Sequence, residues 1–567
     1  VFIIKFLFVK MLRKYFSAIL LFLLVSVLVQ CARRGSPTGG PKDETPPVLL
    51  EVQPKSGATH FNAKKIRFVF DELVVAKDIR KQLIISPPLE NFPEISPISA
   101  SRWIDVKITD TLKPNTTYVF NFGNSIQDYN EGNAFPFLKY VFSTGAFIDS
   151  LSVRGETQDA IKPKPDNFVS VMLYPYDENY KDSLVFKQKP MYIANTLDSL
   201  KSFEINNVKE GKYMLIALKD KNNNYLFDPK EDKIGFLENP ISVQNDSLFH
   251  TLTLFKQIPD FKPARPFQAA DNRIVFGYEG KADSIEIKPI APVSQDFKYI
   301  ITKEPKKDSL NLWFTPKQKD SLVFTFARGQ KIDTFKIRLK ETKADSLKLS
   351  SKYSSTLPIG KYFGWSSNTP IVKTDSTKIR VMNKDSVFIP FKTKLEQNGL
   401  EFLLIFENQH NQEYSITALP EAITDFFGQP NDTLQQRVKT SKVEELSTLK
   451  VTINASLHFP IVMELTDEKG VNVEKQIFAN KAQPEYVFSN VNPGKYKMRI
   501  IEDQNNNKQW DTGNFLKRIQ PEKIIYHPKL IELRANWEVQ EIFTIESSGT
   551  ENPKPILDNQ NGATDGR

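Results

Sequence analysis

The chain has 567 residues, 40% hydrophobic and 11% aromatic, with 42 Phe, 36 Pro, 23 Gly and a single Cys. Cores stop growing near ~250–300 residues, so the length excludes one domain, and the apolar content excludes a disordered chain. Of the formal charge of +9, four positive charges lie in residues 1–30, which carry no acid, and the remaining +5 is scattered without a basic block beside aromatics, which argues against a nucleic-acid partner.

The chain opens with Lys5, Lys10, Arg13 and Lys14 interrupting an apolar stretch, and the run 16–29 then leads to Cys31. A membrane span needs about 20 apolar residues without such breaks. A basic start, a short apolar core and a processing point are the parts of an export signal, read from Met11. With Leu28 and Val29 ahead of Cys31, and Gln30 in place of the usual small residue, the stretch resembles a bacterial lipoprotein signal. That resemblance implies removal of the leader, a lipid on Cys31 and attachment to a membrane through it. Residues 1–31 are read as signal and lipobox, and 32–47, rich in Pro, Gly and charge, as a flexible tether. Once Cys31 is acylated no thiol remains for a disulfide.

From there the chain is a series of short runs alternating apolar and polar residues, such as 65–70, 103–108 and 117–122, broken by Pro, Asn and Gly. This is the pattern of half-buried strands, and the expected fold is all-β: tandem antiparallel β-sandwiches. In the first domain, 48–145, the stretch 112–118 with Pro114, Asn115 and Tyr118, then Ile126, Asp128, Gly132, Asn133 and the closing 142–144, resembles the bacterial Ig-like domain of surface-layer proteins. Tyr414, Ile416, Ile423, Asp425 and Gly428 place a diverged copy at 345–442.

A longer repeat joins Gly211-Lys212-Tyr213 to Gly494-Lys495-Tyr496, each opening a strand that ends in an Asn-rich loop. A match of this length reports a duplicated unit. It resembles transthyretin-like or carboxypeptidase-regulatory-like sandwiches, placed at 149–254 and 447–545. Residues 255–343 read as strands without a motif, and 547–567 as a disordered tail. The triplet Asp-Ser-Leu, at Asp182, Asp198, Asp246, Asp308, Asp320 and Asp345, reads as turn punctuation.

The Asn-rich loops are the candidate site. Asp220, Asn222, Asn224, Asp228 and Glu231 fall at offsets 1, 3, 5, 9 and 12, the ligand positions of a calcium loop, because a hard dication wants six to eight oxygens and a curled loop turns alternate side chains toward one centre. The second copy keeps Asp503, Asn505, Asn507 and Asp511, but has Asn514 at the twelfth position. The alternative reading is a hairpin in which Asn tolerates left-handed backbone angles.

Catalytic signals are weak. His60, His250, His410, His458 and His527 are scattered, no nucleophile elbow or phosphate loop occurs, and Asp71 with Glu72 reads as a solvated turn. The expectation is a non-enzymatic lipoprotein of the outer membrane, on its periplasmic face or the cell surface, with no small-molecule substrate and with envelope proteins as partners. The tether and the order of modules resemble Ig-like lipoproteins of the Bacteroidetes. The alternative is a surface adhesin or glycan-binding protein, which would present an exposed aromatic platform drawn from Trp103, Trp313, Trp365, Trp510 and Trp537.

Overall fold

A computed structural model describes residues 43–544, apart from 198–200, 245–248, 282, 291–292 and 306. The expected signal, Cys31, most of the tether and the tail 547–567 therefore lie outside the described residues. Among the described residues the fold is all-β, its sheets joined by short turns and one-turn helices. No helix there is long and apolar enough to cross a membrane. Packing divides the chain into two compact units. One holds the chain up to Leu83 with Glu90–Lys113 and Phe120–Phe142, and the other holds Ile84–Leu89, Pro114–Val119 and everything from Ser143.

The first strands are β1 (Leu49–Gln53), β2 (Lys65–Ala76), β3 (Ile84–Ser86), β4 (Glu94–Ser96), β5 (Ser101–Lys107), β6 (Thr117–Asn121), β7 (Ile126–Asp128) and β8 (Lys139–Ser143). They form one sheet in the order β1-β2-β5-β4, with β7 also on β2, and a second in the order β3-β6-β8. Alternation along β2 buries Ile66, Phe68 and Phe70 and leaves Lys65 and Arg67 outside. Phe68 meets Phe122 and Tyr140 edge-on, with ring centroids 5.2 and 5.6 Å apart. Asp71 and Glu72 lie within β2 and not in a turn, which corrects the sequence reading. They sit where the register breaks between Val69 and Val74, and this irregularity hands β2 from β5 to β7.

The next strands are β9 (Leu151–Asp159), β10 (Ser170–Pro175), β11 (Tyr192–Asn195), β12 (Ser202–Val208), β13 (Gly211–Lys219), β14 (Lys233–Phe236), β15 (Ile241–Val243) and β16 (Phe249–Leu254). One sheet runs β11-β10-β13-β14 with β15 also on β13; the other runs β12-β9-β16, with β9 and β16 parallel. The second copy repeats this order. Val473–Ala479, Ile461–Asp467, Gly494–Glu502 and Ile524–Tyr526 make one sheet with Ile531–Leu533, and Tyr486–Val491, Ser447–Asn454 and Glu538–Thr544 the other, the last two parallel. The repeated Tyr has one job in both: the Tyr213 hydroxyl donates to the Lys209 carbonyl at 2.9 Å, and that of Tyr496 to the Asn492 carbonyl at 2.6 Å, closing the turn before the strand.

Between the copies, the stretch without a motif forms two sheets around Phe261, Phe276, Phe314, Phe324 and Phe326. The region read as a diverged Ig-like copy shares a loop device with the first domain. Asp128 accepts the amides of Glu131, Gly132 and Asn133 at 2.6, 3.1 and 2.7 Å, and Asp425 those of Phe427 and Gln429 at 3.0 and 2.8 Å.

Candidate functional site

β13 is buried from Tyr213 to Leu218, so the chain leaves the core abruptly at Asp220 and turns back within a few residues. The turn uses left-handed angles at Asn223 and Tyr225 (φ 52° and 60°), and the second copy uses them at Asn506 and Lys508 (58° and 66°). Asn accepts such angles readily, whereas Tyr and Lys need outside support. A buried carboxylate supplies it. Asp220 accepts the amides of Asn222 and Tyr225 at 3.0 and 2.7 Å; Asp503 accepts those of Asn507 and Lys508 at 3.1 and 2.8 Å.

A second buried acid, which sequence reasoning missed, completes each loop. Asp232 accepts the amides of Lys221 and Asp228 at 2.9 and 2.8 Å, and Glu522 those of Gln504 and Asp511, both at 2.9 Å. All four carboxylates are more than nine-tenths buried. Burial pushes the Asp220 carboxyl above the usual range, with the nearby Asp232 charge adding to it while the Tyr225 amide opposes it. Burial likewise pushes Glu522 up against the pull of the Asp511 and Gln504 amides, and Asp503 and Asp511 add to the push.

In the first loop the residues at the calcium offsets make local contacts. Asn224 caps Leu226 and Asp228 caps Lys230, each at 2.9 Å, and Asn222 enters through its backbone amide. Glu231 turns outward to an ion pair with Lys221. In the second loop the Asn505 and Asn507 side chains both donate to Asp511, at 2.6 and 2.5 Å, and Asn507 also reaches Asp503 through its backbone. Among the described residues no three His, Cys, Asp or Glu side chains, the five His included, form a group that could hold a metal ion.

Asp232 follows Asp220 by twelve residues and Glu522 follows Asp503 by nineteen, so the second loop carries extra chain inside the same frame. That extra chain docks into the first copy. Phe515 is fully buried in a cluster with Met214, Phe227, Phe236 and Phe255, its ring 5.3 Å from Phe236 and 6.4 Å from Phe227. Arg518 makes a two-pronged ion pair with Asp182, the Nε–Oδ2 distance being 2.9 Å, and donates to the Glu238 carbonyl at 3.0 Å. The Phe515 amide donates to the Gln257 side chain at 2.9 Å, Thr512 to the Lys256 carbonyl at 2.7 Å and Gln520 to the Phe236 carbonyl at 2.9 Å. Gly513 permits the approach, since a Cβ there would stand 2.7 Å from the Phe255 ring and 2.6 Å from the Ile519 carbonyl. Two Asp-Ser-Leu triplets thus do more than punctuate: Asp182 receives Arg518, and Asp345 pairs with Arg273 at 2.8 Å.

The five Trp residues divide by burial. Trp313 is buried and donates to Thr302 at 2.9 Å; Trp365 is buried and stacks on Phe402. Trp510 anchors its loop through a 2.9 Å hydrogen bond to the Glu522 carbonyl. Trp103 and Trp537 remain 44% and 55% exposed.

The model of the bacterial Ig-like domain family matches residues 43–144. No curated protein matches the chain. Among solved structures, the S-layer protein rSbsC is 11% identical, with 86% of this chain and 67% of that one covered and a TM-score of 0.14. A tandem of titin domains is 10% identical, covering 50% and 100%, at 0.11. A surface glycan-binding protein of Bacteroides ovatus, solved with a mixed-linkage heptasaccharide, is 9% identical, covering 68% and 94%, at 0.17. All three TM-scores are far below that of a shared overall fold. The chain is a multidomain β protein with an Ig-like module at residues 43–144.

Proposed function

We propose that this chain is a non-enzymatic lipoprotein of the bacterial outer envelope, tethered through Cys31, whose sandwiches act as a scaffold or protein-binding arm. The observation that carries the reading is the lock between the duplicated modules. An insert in one, bearing Phe515 and Arg518, fills the other, which turns separate domains into a braced frame fit to hold partners at fixed spacing. The export leader supports the location. Ala32, Arg33 and Arg34 directly after the cysteine favour the periplasmic face over the surface. Metabolic labelling with a fatty acid tests the anchor: the native chain takes up label and fractionates with membranes, and Cys31→Ser does neither. A native chain found unlabelled in the cytosol overturns it.

Calcium belongs to this proposal at the second loop only. There the Asn505 and Asn507 side chains converge on Asp511, and Asp503, Asn505, Asn507 and Asp511 would offer oxygens once the two amide side chains turn over. Calcium should raise the melting temperature of the mature chain over that in chelator. The rise should vanish in Asp511→Ala and survive in Asp228→Ala; identical curves with and without calcium end the idea.

A second reading, a surface-exposed glycan-binding protein, is favoured by the exposed indole of Trp103 on an open sheet face of the first domain.

A further inference from the structure

The outward face of the sheet β1-β2-β5-β4 can be read row by row from its register. Glu51, Val69 and Trp103 lie side by side across three strands, Gln53, Arg67, Asp105 and Ser96 form the next row, and Lys65, Lys107 and Glu94 the third. Four strands at 4.7–4.9 Å spacing make a platform about 14 Å wide. Its charges cancel, three cations against three carboxylates, so it offers hydrogen-bond donors and acceptors without a net field.

The polar groups are held in place before any ligand arrives. Asp105 takes Arg67 in a two-pronged pair at 2.7 and 2.8 Å and Lys65 at 3.1 Å. The Arg67 guanidinium stands 5.8 Å from the centre of the Trp103 ring, beside a shallow depression lined by Gln53, Pro54, Ala63, Lys65 and Arg67. The indole stays 44% exposed next to these oriented groups. A flat apolar ring beside a fixed guanidinium on a face of zero net charge matches one ligand chemistry, the neutral sugar unit, which has a C–H face for the ring and hydroxyls for Arg67 and Gln53.

The geometry points to a binding platform for a neutral polysaccharide, centred on Trp103 with Arg67, held in place by Asp105, as its polar contact. This deepens the glycan-binding reading and is independent of the lipid anchor, so its failure leaves the scaffold reading standing.

Affinity electrophoresis of the purified mature chain through gels containing laminarin, dextran or hydroxyethylcellulose tests it, with polygalacturonate as the acidic comparator. At least one neutral glucan should retard the protein, and the retardation should persist at about 1 M salt, where charges are screened beyond roughly 3 Å. Trp103→Ala should weaken binding about tenfold or more, as loss of an aromatic anchor does, while Trp103→Phe retains most of it. Arg67→Ala should weaken it, and Trp537→Ala, at the other exposed indole, should not. The proposal is overturned if none of the three glucans retards the chain, if only polygalacturonate does, or if Trp537→Ala abolishes the effect while Trp103→Ala does not.

Discussion

Asp232 and Glu522 each hold two backbone amides of a loop whose left-handed residues hang from the neighbouring Asp220 and Asp503. Removing either carboxylate takes the partner from two part-buried amides, and Asp232→Ala or Glu522→Ala should each cost about 1–3 kcal/mol, read as a fall in the denaturant midpoint. Glu231→Ala, one residue from Asp232 but paired with Lys221 at the surface, should leave the midpoint in place. The sequence displays Asp220 and Asp503 clearly, at the ends of matching strands. It hides their companions, because a fixed calcium offset lands on Glu231 in one copy and Asn514 in the other. The companion is found only when the loops are aligned by their amides, with the extra chain of the second set aside.

Asp105 gives a prediction of a different kind. Its hydrogen bonds from Arg67 hold its carboxyl below the ordinary 3.8, the Lys65 pair adding to this against the effect of burial. The ionised form is thus favoured by folding. Its contribution is complete above pH ~4 and is lost as pH falls through the lower folded value. Acid unfolding of the first domain, followed by the fluorescence of Trp103, should show this loss, and Asp105→Asn should flatten the profile in that window.

At the scale of elements, strands were legible where one face is buried and the other wet. Lys65 to Phe70 alternates because Ile66, Phe68 and Phe70 reach a core while Lys65 and Arg67 face water, and periodicity sees that directly; Thr117 to Val119 is buried on both faces and showed instead through its β-branched and aromatic residues. The docking insert was not legible. Phe515 and Arg518 read as an ordinary loop, since their partners Gln257 and Asp182 are 258 and 336 residues away in sequence. Phe515→Ala should cost about 3–5 kcal/mol, as deletions of a fully buried ring do. A double-mutant cycle on Asp182→Asn and Arg518→Ala should give a coupling of about 1–2 kcal/mol, reduced by the partial exposure of both side chains. Additive single and double variants would mean the ion pair does not brace the junction.

For the whole molecule, the two copies share one topology but not one role, because only the second carries the insert and only the first receives it. A chain ending before residue 447 keeps the first copy's sheets but bares the apolar surface that Phe515 covers. Such a truncation should bind a hydrophobic dye and be cut by protease in the 182–257 region faster than the full chain. Equal dye binding would show that the surface is closed without its partner.

Order of synthesis gives this junction a further meaning. A polypeptide synthesised from its N-terminus delivers Phe227, Phe236 and Phe255 long before Phe515 emerges to cap them. During that interval a greasy socket stands uncovered, the kind of transient surface that aggregates or recruits a holdase. Completion of the first copy therefore waits on the second, and a stop codon ahead of Phe515 would strike at a module whose contact residue Gln257 lies 258 residues upstream.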